Sequence, residues 1–271
     1  MADARVVLVT GASSGIGQAT ARLLAREGFR VFGTSRKPAA GKVDGVEMVP
    51  LDVTSEATVR ECVETVLNRA GRVDGLVNNA GHELAGAVEE TALEDAKAQF
   101  ETNFFGTHRM TRAVLPHMRA RRSGHLVTIG SLAGVIPIPF VGFYSATKFA
   151  LEGYTEALRH EVRPFGIRVS IVEPSFMRTG LQGARRWASE EIPDYGPWRS
   201  RAMGRVTLYE NRDPHPEKVA AVVLRILRSP NPRLRHPVGR NARAYALGRR
   251  LMAEPLFERG TRRFFALDSK R

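Results

Sequence analysis

Short, densely apolar runs recur along the chain, separated by longer mixed stretches. The runs at 5–10, 30–34, 46–51, 73–77, 125–130 and 167–172 are rich in Val, Ile and Leu, the pattern of parallel strands covered on both faces. Amphipathic stretches at about 15–27, 55–70, 91–120 and 144–163 are long enough to cross over a sheet. This alternation predicts an α/β fold, a doubly wound parallel sheet with helices on both faces. Residues 176–216 interrupt it with Trp187, Pro193, Tyr195, Pro197, Trp198 and Met203 in a polar setting. They read as an insertion over the sheet, followed by a helix at about 216–228, a strand at 234–238 and a basic arm over 240–271. One domain, 1–271, is expected, because α/β cores grow to roughly 250 residues as a unit.

The first strand runs into Thr10-Gly11-Ala12-Ser13-Ser14-Gly15-Ile16-Gly17 and then a helix. Gly11 permits a tight turn, Gly15 lets backbone approach a pyrophosphate, and Gly17 lets helix and strand pack closely, while the helix N-terminus attracts the anion. That placement points to a Rossmann-type dinucleotide site. The second strand ends Thr34-Ser35-Arg36-Lys37, without the acid that would accept hydrogen bonds from the ribose of NAD. Arg36 and Lys37 stand where a 2′-phosphate would sit, Ser13 and Ser35 add hydroxyl donors, and the expected cofactor is NADP(H). Tyr144 and Lys148 lie one helical turn apart, and an ammonium beside a phenol pulls its pKa down from about 10 toward the range of a general acid/base.

The segment 10–17, Asn78-Asn79-Ala80-Gly81, Asn103, Ser131 and Tyr144-Ser-Ala-Thr-Lys148 together resemble the short-chain dehydrogenase/reductase family. Arg235-His-Pro237-Val-Gly239 and the arm after it are similar to the branch holding 17-beta-hydroxysteroid and retinol dehydrogenases. The resemblance implies an oxidoreductase acting on a carbonyl/hydroxyl pair, with Tyr144 as acid/base, Ser131 bonded to the substrate oxygen, Lys148 also holding the nicotinamide ribose, and Asn103 completing a proton relay. It implies cofactor contacts from Ser14, Ile16, Asn79, Ala80 and Gly81, from Asp52 with Val53 beside it, and from Pro174 and Thr179. Ser175 departs from the family's usual glycine. Homodimers or homotetramers paired through 91–120 and 144–163 are implied as well.

The net charge of +13 is uneven, since residues 185–271 hold 20 basic side chains against 9 acidic ones. No nucleic-acid motif accompanies them, so nucleic acid is not an expected partner, whereas an acidic carrier protein or an anionic membrane surface is a possible weak contact. The lone Cys62 excludes an internal disulfide, and the seven histidines lack ligand spacing, so no metal is expected. The apolar stretch 132–143 is interrupted by Gly134, Pro137, Pro139 and Gly142, and a soluble, cytoplasmic protein is expected. The leading reading is an NADP(H)-dependent reductase or dehydrogenase of an apolar steroid-, retinoid- or acyl-like substrate. Its rivals are a reductase of carrier-bound acyl or polyketide chains and a non-catalytic NADP sensor. Segment 176–216 is expected to form a mobile lid, with Trp187, Tyr195, Trp198 and Met203 in the pocket wall. Phe140 and Phe143 are candidates for the pocket or for core packing, and His82 is a candidate to face the substrate.

Overall fold

The computed structural model describes residues 4–38, 42–177, 185–212 and 215–268. Its strands are β1 (Val6–Val9), β2 (Arg30–Ser35), β3 (Lys42–Val43), β4 (Val46–Pro50), β5 (Gly75–Asn78), β6 (Leu84–Ala85), β7 (Gly124–Ile129), β8 (Ile167–Pro174), β9 (Arg186–Trp187) and β10 (Arg235–Val238). The main sheet has the order β10-β8-β7-β5-β1-β2-β4-β3. Seven of these strands run parallel, and only the two-residue β3 pairs antiparallel at the edge. The chain moves outward from β1 to β4, then returns past β1 and continues through β5 to β10. The reversal lies between β1 and β5, where an open α/β sheet binds its ligand.

The helices are α1 (Gly15–Arg26), α2 (Glu56–Ala70), α3 (Leu93–Phe100), α4 (Gly106–Ala120), α5 (Gly142–Val162), α6 (Gly196–Arg212), α7 (Glu217–Arg228), α8 (Ala242–Leu251) and α9 (Glu254–Phe264). Side chains of α2, α4 and α5 form one core layer with Leu8, Phe32 and Leu126. Those of α1 and α7 form the other with Val7, Val77 and Val127. Burial on both faces explains why the strands of this sheet read as unbroken apolar runs. The helix limits have local causes. At α2, the Ser55 hydroxyl accepts from Thr58 N, and Gly71 takes a left-handed φ of 70° to end the helix.

One expectation needs correction. The stretch 91–120 is not a single helix: a π-helical turn over Glu101–Phe105 separates α3 from α4. The described part of 176–216 is tied to the rest of the fold by named contacts. β9 pairs in parallel with β6, Arg185 joins Glu83 and Glu210, and Arg199 joins Glu90 and Glu191. Ile192 N and the Tyr195 hydroxyl donate to Glu90 and Glu89 at 2.9 and 2.7 Å. The basic arm forms α8 and α9, and Phe264 and Phe265 pack on a third core cluster with Phe176, Met203 and Val206.

Candidate active site

The carboxyl ends of the central strands open on one cavity of about 620 Å³. At its floor the Thr10 hydroxyl donates to Val77 O at 3.3 Å and accepts from Asn79 N and Ala80 N at 2.9 and 3.0 Å. The Asn79 amide reaches back to Thr10 O and Gly11 O at 2.9 and 3.1 Å. The β1 and β5 loops are thereby sewn together. Gly11 has φ +66°, and a Cβ on Gly17 would collide with Gly11 O and the Asn79 amide, so both glycines are sterically required. Ser14 precedes α1 without a side-chain cap, and the first turn of α1 holds no acid. Its backbone N–H groups are left for an anion.

Farther along, Ser13, Ser35, Arg36, Asp52 and Val53 line the cavity. The Ser35 hydroxyl is buried and finds no partner among the described residues, an arrangement that a ligand oxygen would complete. Asp52 accepts from Thr54 N and the Thr54 hydroxyl at 2.9 and 2.7 Å. Those bonds, with Arg36 nearby, hold its carboxyl below the usual range. Lys37 is exposed and lies off the cavity wall, so of the two cations only Arg36 faces the pocket. Pro174 lines the cavity, while Thr179 lies outside the described residues. Ser175 is accommodated without left-handed backbone, and its N–H donates to Val238 O at 2.8 Å.

At the opposite end the π-helical turn presents Asn103. Its Oδ1 accepts from His82 N at 3.0 Å, and its Nδ2 donates to His82 O at 3.0 Å and to the Thr147 hydroxyl at 3.2 Å. The Thr147 hydroxyl in turn donates to Tyr144 O at 2.8 Å, so Asn103 braces the turn of α5 that carries Tyr144. π-turns inside α-helices recur at functional sites. Ser131 sits just after β7 on the same cavity wall as Tyr144, its hydroxyl accepting from Ala133 N at 3.1 Å. Lys148 donates to Ile129 O at 2.9 Å, with its ammonium 5.6 Å from the centre of the Tyr144 ring.

The electrostatics overturn one expectation. Burial, followed by Glu83, pushes the Tyr144 phenol upward from its ordinary value rather than down, and the nearby Ser131 offsets this only in part. Burial lowers the Lys148 ammonium to about 8. Desolvation of both groups outweighs the stabilisation of a phenolate that sequence spacing alone suggests. The phenol therefore holds its proton at neutral pH.

The pocket wall also differs from expectation. His82 does face the cavity, and burial lowers its imidazole to about 4. From the segment after β8, Phe176, Met177, Arg186, Val206 and Glu210 line it; Trp187, Tyr195, Trp198 and Met203 do not. Trp187 is 55% exposed, and Met203 belongs to the third core cluster. Ile138 and Val141 line it in place of Phe140 and Phe143, and Phe140 instead packs against the third core cluster, the other role expected of it. Sequence reading missed Glu83 and Glu210, two carboxylates at the cavity wall held by the single guanidinium of Arg185. They are 127 positions apart in sequence and share no motif. Cys62 is buried in the core, its thiol pushed up to about 12 by burial.

A family model described as short chain dehydrogenase matches residues 5–189. The chain belongs to the short-chain dehydrogenase family. Among curated relatives of this dehydrogenase, 3-ketodihydrosphingosine reductase of Bacteroides thetaiotaomicron is 42% identical over 237 residues, spanning 87% of this chain and 88% of that protein. Retinol dehydrogenase 8 of Bos taurus is 37% identical over 257 residues, spanning 87% and 82%. Among solved structures, a short-chain dehydrogenase from Streptomyces avermitilis matches with a TM-score of 0.81 at 40% identity, covering 96% of this chain and 99% of that one. ElxO with NADP bound matches with a TM-score of 0.70 at 27% identity, covering 83% and 92%.

Proposed function

We propose that this short-chain dehydrogenase is an NADP(H)-dependent oxidoreductase that interconverts a carbonyl and a secondary or primary hydroxyl on an apolar substrate. The observation that carries the reading is buried Tyr144 with Ser131 and Lys148 in the same cavity as the glycine turn and Arg36. Gly11, Gly15 and Gly17 with the first turn of α1 would hold the pyrophosphate, and Ser35 with Arg36 the 2′-phosphate. Asp52 and Val53 would flank the adenine, while Asn79, Ala80, Gly81, Lys148 and Pro174 would line the path of the nicotinamide riboside. NADPH, when bound, supplies a hydride to the substrate carbon.

In the reductive direction the Ser131 hydroxyl holds the carbonyl oxygen, and Tyr144 delivers its phenolic proton to that oxygen. The product is the alcohol. A general acid must carry its proton before the step, as this phenol does at neutral pH, and burial makes it a weaker acid than a free phenol. Asn103 acts at a distance, through Thr147, by fixing the turn that aims Tyr144.

The relatives named for retinol and for 3-ketodihydrosphingosine place long apolar molecules among the substrates to try first, and the apolar wall of Ile138, Val141, Phe176 and Val206 supports that class. We propose a homodimer or homotetramer in the cytoplasm, with any contact to an acidic carrier or anionic surface weak and salt-sensitive. The test is a set of apolar ketones and aldehydes with NADPH and NADH, followed at the nicotinamide absorbance. Turnover with NADPH in excess of NADH is expected. A marked preference for NADH overturns the cofactor assignment, and no turnover with any carbonyl overturns the reaction.

A further inference from the structure

A second cavity of about 240 Å³ lies between the loop after Ser131 and the helix pair α8–α9. Ile136, Tyr245, Met252, Phe257, Gly260 and Phe264 line it, and among the described residues no charged side chain does. The Thr261 hydroxyl at its edge is already spent on Phe257 O at 3.0 Å. Leu132, Ile138 and Phe176 belong to the walls of both this slot and the catalytic cavity. The slot therefore begins one residue beyond Ser131. A charged or strongly polar ligand entering it would lose water and find little in exchange, whereas an apolar one would not.

A second observation concerns two glycines. Gly248 in α8 and Gly260 in α9 both line the slot. Glycine inside a helix is less stable than alanine by about 1 kcal/mol, and neither has a positive φ. A Cβ at Gly260 would meet nothing within 4 Å, and one at Gly248 would meet only Met252 Sδ, at 3.6 Å. No local contact forbids a side chain at either position. What the two glycines keep is open space along the slot.

We infer that this slot receives the unbranched alkyl or prenyl tail of the substrate, entering past Leu132, Ile138 and Phe176 while the carbonyl sits at Ser131 and Tyr144. The inference rests on the reductase reading for the place of the carbonyl, but the occupancy of the slot is separable from turnover. The occupant is a substrate tail rather than a partner peptide because the slot adjoins the catalytic cavity, with Leu132, Ile138 and Phe176 forming walls of both. The Arg-rich arm then has a role inside the molecule, as the outer wall of a lipid-tail site.

The experiment compares butanone, octanone and dodecanone as methyl ketones with NADPH, in the wild type and in Gly260→Phe and Gly248→Leu. Both substitutions raise helix propensity, and neither residue touches the catalytic groups. In the wild type, kcat/KM is expected to rise about fourfold for each methylene the slot buries. In the plugged variants the rise stops at a shorter chain, so dodecanone loses at least about tenfold while butanone is unchanged. Titration calorimetry with dodecanol, in parallel, reads the tail site without turnover. Equal chain-length dependence in all three proteins, or equal dodecanol affinity, overturns the slot. Binding of dodecanol that Gly260→Phe abolishes, in a protein that oxidises NADPH with no ketone, keeps the slot and overturns the reductase reading instead.

Discussion

Tyr144 is the residue on which the chemistry turns, and its environment sets a sharp test. Tyr144→Phe keeps the ring packed in its cluster and removes only the proton donor. We expect kcat to fall by at least about 10²-fold, the ordinary contribution of general acid catalysis, with NADPH affinity preserved. A variant that turns over within a fewfold of wild type sinks the assignment. Cofactor choice also belongs to single side chains. The double variant Ser35→Asp, Arg36→Leu places a carboxylate at the ribose and removes the cation that faces the cavity. A charge-assisted hydrogen bond contributes about 1.5–3 kcal/mol, so the ratio of kcat/KM for NADPH over NADH should drop by one to two orders of magnitude. An unchanged ratio means that Arg36 does not read the phosphate. Lys37, exposed and off the cavity wall, should be replaceable without effect.

At the level of elements, the sheet and its crossover helices were legible because burial on both faces writes unbroken apolar runs into β1, β5 and β7. The glycine turn was legible because its chemistry lies within eight consecutive residues. The π-helical turn at Glu101–Phe105 was not, since one extra residue per turn leaves the apolar periodicity of 91–120 nearly intact. Neither was the Glu83–Arg185–Glu210 cluster, assembled by tertiary structure alone from the residues just before β6 and β9 and from α6. Aromatic residues in the insertion misled for a related reason: composition marks a residue as apolar but not the direction it faces.

A second long-range cluster ties α5, β8 and β10 together. Arg235 donates to Glu152 and Glu156 at 2.9 and 2.8 Å and lies 3.8 Å from Glu173. Glu152 Oε1 and Glu173 Oε1 are both buried without a protein donor, and a proton shared between the two carboxyls satisfies both. Burial, then the Glu152 charge, pushes Glu173 up to about 7, and burial raises Glu152 as well. The folded protein thus holds a proton that the unfolded chain releases near the ordinary 4.5. The associated stability is fully present below about 4.5 and is lost as pH rises toward 7, on the order of 1.4 kcal/mol per pH unit. The urea midpoint of the wild type should accordingly fall across that window relative to Glu173→Gln, which carries no titrating carboxyl. Parallel curves for the two proteins show that no proton is held there.

For the whole molecule, the question is which surface meets a second copy. The positive charge concentrates after residue 184, and like charges there oppose self-association through α8 and α9. The π-turn and α5 carry apolar surface instead. Phe105 at the π-turn and Phe149 on α5 are 45% and 42% exposed, and Phe105 meets the edge-on ring group of Phe104, Tyr154 and His108. Large apolar side chains left together on two neighbouring helices mark an interaction surface, and these are the helices through which the sequence resemblance implies pairing. Light scattering of the wild type should give a multiple of the 29.9 kDa chain mass, unchanged at high salt because an apolar seam is not screened. Phe149→Glu should return the mass to that of one chain, since each copy would bury an unpaired carboxylate at a cost of about 3–5 kcal/mol. Its fold should survive, because the substituted position is already half in solvent. Assembly that dissolves in salt but tolerates Phe149→Glu places the seam on the basic arm instead. In that case the outer wall of the tail slot would lie in the interface between subunits.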